Sequence, residues 1–262
     1  MMTVMGIEPS GTEAGWTINV DTDEMKCVRQ AYPSIEEEQF QAIVDGALNI
    51  MSNFPEPSGP DEQKTGLAIG KIQSGKTLSF TALIALAGSN GYRLIIVLAG
   101  TKNPLLKQTY DRLERDLGTQ QAQRASKMLV LSNPTRRDHD LMTTALSSVT
   151  NKTVLIVCLK NSSRINAMRG LLNSPEIPQV PTLIIDDEGD EASHNRLAPR
   201  RRNAGNAAPR RESATHRRAQ SSKLVMLAGH IASHNLYDIM YMYPVGPNND
   251  RDTIKLIKFS AS

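Results

Sequence analysis

The sequence predicts an α/β fold, a parallel sheet with helices on both faces, preceded by a helical lead-in. Three observations carry this. Arg93–Leu98 and Thr182–Ile185 are continuous apolar runs rather than alternating ones, the pattern of strands buried on both faces. Such runs alternate along the chain with stretches of helical period. Gly70-Lys-Ile-Gln-Ser-Gly-Lys-Thr77 fits G-x-x-x-x-G-K-[ST] at every fixed position. It lies between a short apolar run and an apolar, proline-free segment, the strand, loop, helix order of a phosphate-binding loop. The fold class is therefore an α/β sandwich of the P-loop type.

In chain order, residues 1–33 are polar and weakly patterned. Ser34 opens a helix signal, with Glu37 three residues on as a capping box. Phe40, Ile43, Val44, Ala47, Leu48 and Met51 follow at helical spacing. The proline-rich stretch Phe54–Pro60 ends that helix as a loop or linker. Strands are expected at 66–69, 93–98, 128–131, 153–158, 182–186 and 223–228. Helices fit between them at 76–88, 103–117, 136–147 and 161–172. Beyond Asn195 the periodic pattern fails, leaving a turn at Gly246–Asp250 and a short edge strand at Ile254–Phe259. The expected organisation is a helical region over 1–60, a P-loop ATPase lobe over 61–195, an arginine-rich flexible segment over 196–222, and an incomplete or diverged segment over 223–262.

Charge is nearly balanced across the 262 residues, with 30 Lys and Arg against 27 Asp and Glu. The net +3 does not itself argue for a nucleic-acid partner. Its distribution says more. Arg196–Gln220 holds eight arginines and one acid, Glu212, a local charge of +7. Cys27 and Cys158 have neither zinc nor redox spacing, and Cys158 lies inside an apolar run as a small buried thiol. His216, His230 and His234 are dispersed and read as surface or capping residues. No signal peptide is visible, and the apolar runs are too short to cross a bilayer. A cytoplasmic protein without a membrane partner is expected.

The candidate nucleotide site has two parts. In a P-loop, consecutive backbone N–H groups point at phosphate oxygens, and the next helix adds its N-terminal dipole. Gly70 and Gly75 permit the tight path, and Gln73 and Ser74 contribute to the cradle. Lys76 reaches the β- and γ-phosphates of ATP, and Thr77 places its hydroxyl on Mg2+. The second part is Thr182-Leu-Ile-Ile-Asp-Asp-Glu-Gly-Asp190, where a strand runs into three consecutive acids. Acids packed this densely repel one another unless a cation sits nearby. Asp187 is expected to hold the magnesium and Glu188 to orient and deprotonate the attacking water, with Asp186 the rival for the metal. Two polar loops follow other strands. One carries Thr101, Lys102 and Asn103, with Gln108 and Thr109 on the helix behind. The other carries Lys160, Ser162, Ser163 and Arg164. Both sit where open α/β sheets bind ligands. With no aromatic residues between their polar groups, they suit a nucleic-acid backbone rather than its sequence.

These words together resemble a superfamily 2 helicase-type ATPase with a RecA-like lobe. Within it, the chain is similar to the endonuclease Z1 domain family, whose endonuclease role is inferred rather than demonstrated. The matching words are Gly70–Thr77, Tyr92–Gly100, Gln108-Thr109 and Leu183–Ser193, with Arg211–Arg218 a further piece. The resemblance spans roughly 60–218. It implies that Lys76 and Thr77 hold phosphate and magnesium, and that Asp187, Glu188 and Asp190 are the acids of a D-E-x-D box. It also implies a DNA-defence or restriction-like setting. Gly189 stands where the family usually has alanine. Gly229-His-Ile-Ala-Ser-His234 stands where a Thr-Ala-Thr-Pro-like word is expected. A helicase motor also needs a second lobe that supplies arginines, and 44 residues after 218 are too few for one. The chain therefore reads as truncated, diverged or frame-changed near 196–225. The expected function is an ATP-binding and ATP-hydrolysing DNA-associated module. The alternative is a non-catalytic, nucleotide-gated interaction protein that needs a partner lobe or defence-system subunit.

Overall fold

The computed structural model describes residues 16–60, 63–71, 76–120, 127–150, 152–187 and 221–229. The order is α1 (Asp23–Ala31), α2 (Glu37–Met51), β1 (Gln63–Lys71), α3 (Lys76–Ser89), β2 (Leu94–Leu98), α4 (Asn103–Asp116), β3 (Met128–Ser132), α5 (His139–Leu146), β4 (Thr153–Cys158), α6 (Ser162–Leu172), β5 (Thr182–Asp187) and β6 (Ser221–Gly229). The expectations for 196–220 and 230–262, including the edge strand at 254–259, lie outside the described residues.

One six-stranded sheet runs in the order β1-β6-β5-β2-β4-β3. β5, β2, β4 and β3 are mutually parallel. β2 and β4 are buried at every residue, as their unbroken apolar runs require. β3 is only partly buried, which suits its place at the edge. The expected parallel sheet holds for these four strands, while β6 runs antiparallel to both β1 and β5. An apolar run reads the same in either direction, so nothing in its pattern states which way a strand points.

The pleat divides the core in two. Ile95, Val97, Leu155, Val157, Leu183 and Ile185 lie in one cluster with residues of α1, α2, α3 and α4. Their neighbours Leu94, Ile96, Leu98, Val154, Ile156, Cys158 and Ile184 lie in the other, with residues of α5 and α6. Helices thus cover both faces, because side chains alternate along a strand.

The helix α3 is apolar on every side, and Leu78–Ala87 are all buried. A helix without a polar face needs cover from outside as well as from the sheet, and α1 and α2 provide it, both packing on α3. α1 falls in the stretch read as weakly patterned. Its signals are short: the side chain of Thr22 caps the helix by accepting from Met25 N, and Asp23 and Glu24 occupy the first turn. The expected box from Ser34 to Glu37 does not form. The helix begins two residues later with Glu36 at its N-cap and no side-chain cap, and Glu37 instead pairs with Arg29 at 3.1 Å.

Asp116, fully buried at the end of α4, accepts from the Tyr32 hydroxyl at 2.5 Å and from Arg115 at 2.8 Å. Burial, and then the Asp116 hydrogen bond, push the Tyr32 phenol up to about 12. The neutral phenol is the form that folding favours. Its contribution is complete below its ordinary value of about 10 and is lost as pH rises through about 12. We expect Tyr32→Phe to cost about 1–3 kcal/mol at neutral pH, because a buried carboxylate oxygen loses its donor. The variant also flattens the fall of Tm between pH 10 and 12, as thermal melts across that range would show. An unchanged slope assigns the alkaline loss to Tyr110 and Cys158, which burial pushes to the same value.

Candidate nucleotide site at the carboxyl edge of the sheet

β1 ends at Lys71 and α3 begins at Lys76. The G-x-x-x-x-G-K-T word therefore straddles a strand-to-helix junction. Lys76 and Thr77 open the first turn of α3, where no acidic residue competes for the positive end of the helix. Gln73, Ser74 and Gly75, and beyond β5 Glu188 and Asp190, lie outside the described residues.

The strand register relates the two halves of the word pair. Asp187 of β5 stands opposite Leu224 of β6, which stands opposite Ala68 of β1. β1 and β5 therefore run the same way with one strand between them, about 10 Å apart. β1 continues past the Asp187 row to Gly70 and Lys71. The phosphate-loop word and the acidic strand end share one edge.

The pleat separates the rival acids. Ile185 lies in the cluster containing α3, and Ile184 in the opposite one. Alternation then puts Asp187 on the α3 face and Asp186 on the other. Asp187 is half-buried, whereas Asp186 is 1 % exposed and bound to Lys160 Nζ at 2.6 Å. A carboxylate such as that of Asp187, on the α3 face, is a hard oxygen donor of the kind magnesium takes. Among the described residues, no three His, Cys, Asp or Glu gather into a metal cluster, but Glu188 and Asp190 are not among them.

Lys160 departs from its expected place on a phosphate-facing loop. Its residue is 5 % exposed. It lies two positions past Cys158, and its N–H donates to Gly100 O at 2.7 Å. Since β2 lies between β4 and β5, the Lys160–Asp186 pair bridges the end of β2. Gly100 makes the approach possible with φ of 64°, in the left-handed region that costs other residues more.

The other loop residues lie at the starts of two helices. Thr101, Lys102 and Asn103 are exposed where α4 starts, and Ser162, Ser163 and Arg164 where α6 starts. Asn161 caps α6 by accepting from Arg164 N at 3.0 Å. Gln108 is exposed and Thr109 half-buried. α4 packs on one face and α6 on the other, so the chain leaves adjacent strands β2 and β4 in opposite directions. Such a divergence is the topology at which open α/β sheets form a ligand crevice at the carboxyl ends of their strands.

Sequence reasoning overlooked a third loop on this edge. After β3, Thr135 and Asp138 form a reciprocal capping box around a short 3-10 turn, leaving Arg136 and Arg137 exposed. Asn133 anchors the loop, accepting from Leu159 N at 2.9 Å and donating to Val157 O at 3.0 Å, with φ of 46°. The signal available was T-x-x-D at 135–138. Because β2, β4 and β3 are consecutive in the sheet, Lys102, Arg164 and the Arg136–Arg137 pair follow one another along its edge.

A second polar constellation lies elsewhere. Ser174 Oγ is 2.9 Å from His139 Nε2, and His139 Nδ1 is 3.0 Å from Asp140. The order resembles a nucleophilic triad, but the Ser174 hydroxyl donates to Glu176 at 2.5 Å. Ser174 N is spent on Leu171 O, and residue 175 is proline, so no pair of backbone donors awaits an oxyanion. The cluster is an ion network in which Asp140 first, and Glu176 after it, raise the His139 pKa. Beside it, a cavity of about 300 Å³ opens over Leu94, Ile96, Val180 and Ile184. It includes the first residues of β2 and β5, the end of the sheet away from the acids. Cys158, expected to be a buried thiol, is buried in β4 with its pKa pushed to about 12.

No helix among the described residues is long and apolar enough to cross a membrane. No family model, curated protein or solved structure matches the chain.

Proposed function

We propose that the chain is an ATP-binding, ATP-hydrolysing lobe that acts on nucleic acid. One observation carries this reading. The G-K-T word falls at the β1-to-α3 junction, and a strand ending in acids shares its sheet edge, with Asp187 on the face of α3. In this reading the backbone from Gly70 to Gly75 cradles the phosphates and Lys76 contacts the β- and γ-oxygens. Thr77 and Asp187 hold magnesium, which when bound neutralises phosphate charge. Glu188 takes the proton of the attacking water.

The nucleic-acid part rests on the row of exposed groups from Lys102 through Arg164 to Arg136 and Arg137, and on the +7 segment at 196–220. Guanidinium, ammonium and hydroxyl groups without aromatic platforms meet phosphates rather than bases. DNA as the partner, a restriction-like or defence setting, and an endonuclease role all follow from the resemblance to the Z1 domain family. Among the described residues, no metal-holding cluster of acids and histidines adds support to phosphodiester cleavage. Nucleotide binding without turnover, restored by a partner lobe, would favour the nucleotide-gated interaction protein instead.

Lys76→Ala tests the nucleotide site. It removes the point charge from the terminal phosphates, at about 1.5–3 kcal/mol for each charge-assisted contact. Affinity for a non-hydrolysable ATP analogue with magnesium is expected to fall by about a hundredfold in titration calorimetry. Equal affinity in wild type and variant would remove the assignment.

A further inference from the structure

We propose that the buried Lys160–Asp186 ion pair couples the nucleic-acid loops to the nucleotide site, a regulation that rests on the function proposed above. The pair is short, at 2.6 Å, and its side chains are 4 % and 2 % exposed. It contacts neither ligand in that reading. Its value lies in what adjoins each end. Lys160 precedes by one residue the cap Asn161 and by two the exposed Ser162-Ser163-Arg164. Asp186 directly precedes Asp187, on the opposite side of the same strand. The pair spans β2, whose own continuation is the Thr101–Asn103 loop, and Lys160 N–H is bonded to Gly100 in that continuation.

Three elements that end at the crevice are therefore tied by one buried contact. A phosphate backbone held by Arg164 and Lys102 restrains the loops on either side of Lys160. That restraint passes to Asp186 and so to the position of Asp187. Ligand-driven ordering at one site lowers what the other must order, which is a reciprocal coupling. Burial makes the pair suited to this, because a charge taken out of water tolerates little displacement from its partner.

The test measures affinity of the whole chain for a non-hydrolysable ATP analogue with magnesium, with and without a saturating single-stranded oligonucleotide of mixed sequence. Lys160→Met alone removes the lysine from buried Asp186 and can fail to fold, so the double variant Lys160→Met/Asp186→Leu is used. It exchanges the pair for apolar groups. Wild type is expected to bind the nucleotide about fivefold or more tightly when the oligonucleotide is present. In the double variant that ratio falls to about one, while each ligand alone binds within about twofold of wild type. A purely structural pair would shift the melting temperature and leave the ratio intact, and that result overturns the proposal. So does a wild-type chain that binds both ligands independently. A wild-type chain that binds no nucleotide overturns the nucleotide-site reading and the coupling with it, and the single-ligand titrations tell these failures apart.

Discussion

Glu188→Gln is expected to lower ATP hydrolysis by about 10²–10⁴-fold, the usual contribution of a general base, while leaving nucleotide affinity nearly unchanged. The amide keeps the size and hydrogen-bonding reach of the carboxylate and removes only its ability to take a proton. The pleat of β5 puts Asp187 on the face of α3 and turns Asp186 away into an ion pair. Glu188 follows Asp187 directly in the sequence, the second acid of the D-E-x-D word that the family resemblance implies. A phosphate-release assay and a binding titration on the same preparation separate the outcomes. Unchanged turnover would discard Glu188 as the base and leave Asp190 as the next candidate. Loss of magnesium binding along with turnover would make Glu188 a ligand instead.

Lys160→Met is expected to destabilise the fold by about 3–5 kcal/mol, the cost of leaving a buried charge without its partner. Lys160→Met/Asp186→Leu should recover most of that loss, because apolar groups of similar size replace a buried pair at little cost. Denaturant midpoints of wild type, single and double variants measure both effects. The contrast matters more than either value. If Lys160 were the exposed phosphate ligand its position in the loop suggests, the single variant would cost less than about 0.5 kcal/mol and the double would offer nothing to recover. A single-variant loss that persists in the double variant would mean that packing around the lysine stem, rather than the charge, holds the loop.

From α2 onward, the sequence alone determined most of the elements and their kinds. Unbroken apolar runs at 93–98, 153–158 and 182–185 required strands covered on both faces, and β2, β4 and the apolar part of β5 are so covered. The apolar stretch 78–87 required a helix without a wet side, and α3 has none. The motif placed the candidate phosphate loop at a strand-to-helix junction. These features are legible because they depend on local spacing and on which residue types avoid water. Tertiary structure decided what local spacing cannot carry. The direction of β6 was one such matter, since a short apolar run has no polarity. The cover of α3 was another, because α1 is short and contributes only Met25, Cys27 and Val28 as buried residues. Most of all, the fold decided between neighbouring charges. Asp186 and Asp187 are adjacent and chemically alike, and Lys160 and Arg164 are cations only four residues apart. One residue of strand pleat sends Asp186 inward and Asp187 toward α3. The strand order β5-β2-β4 brings Lys160 over β2 to meet Asp186, a contact between residues 26 apart that no pattern along the chain records.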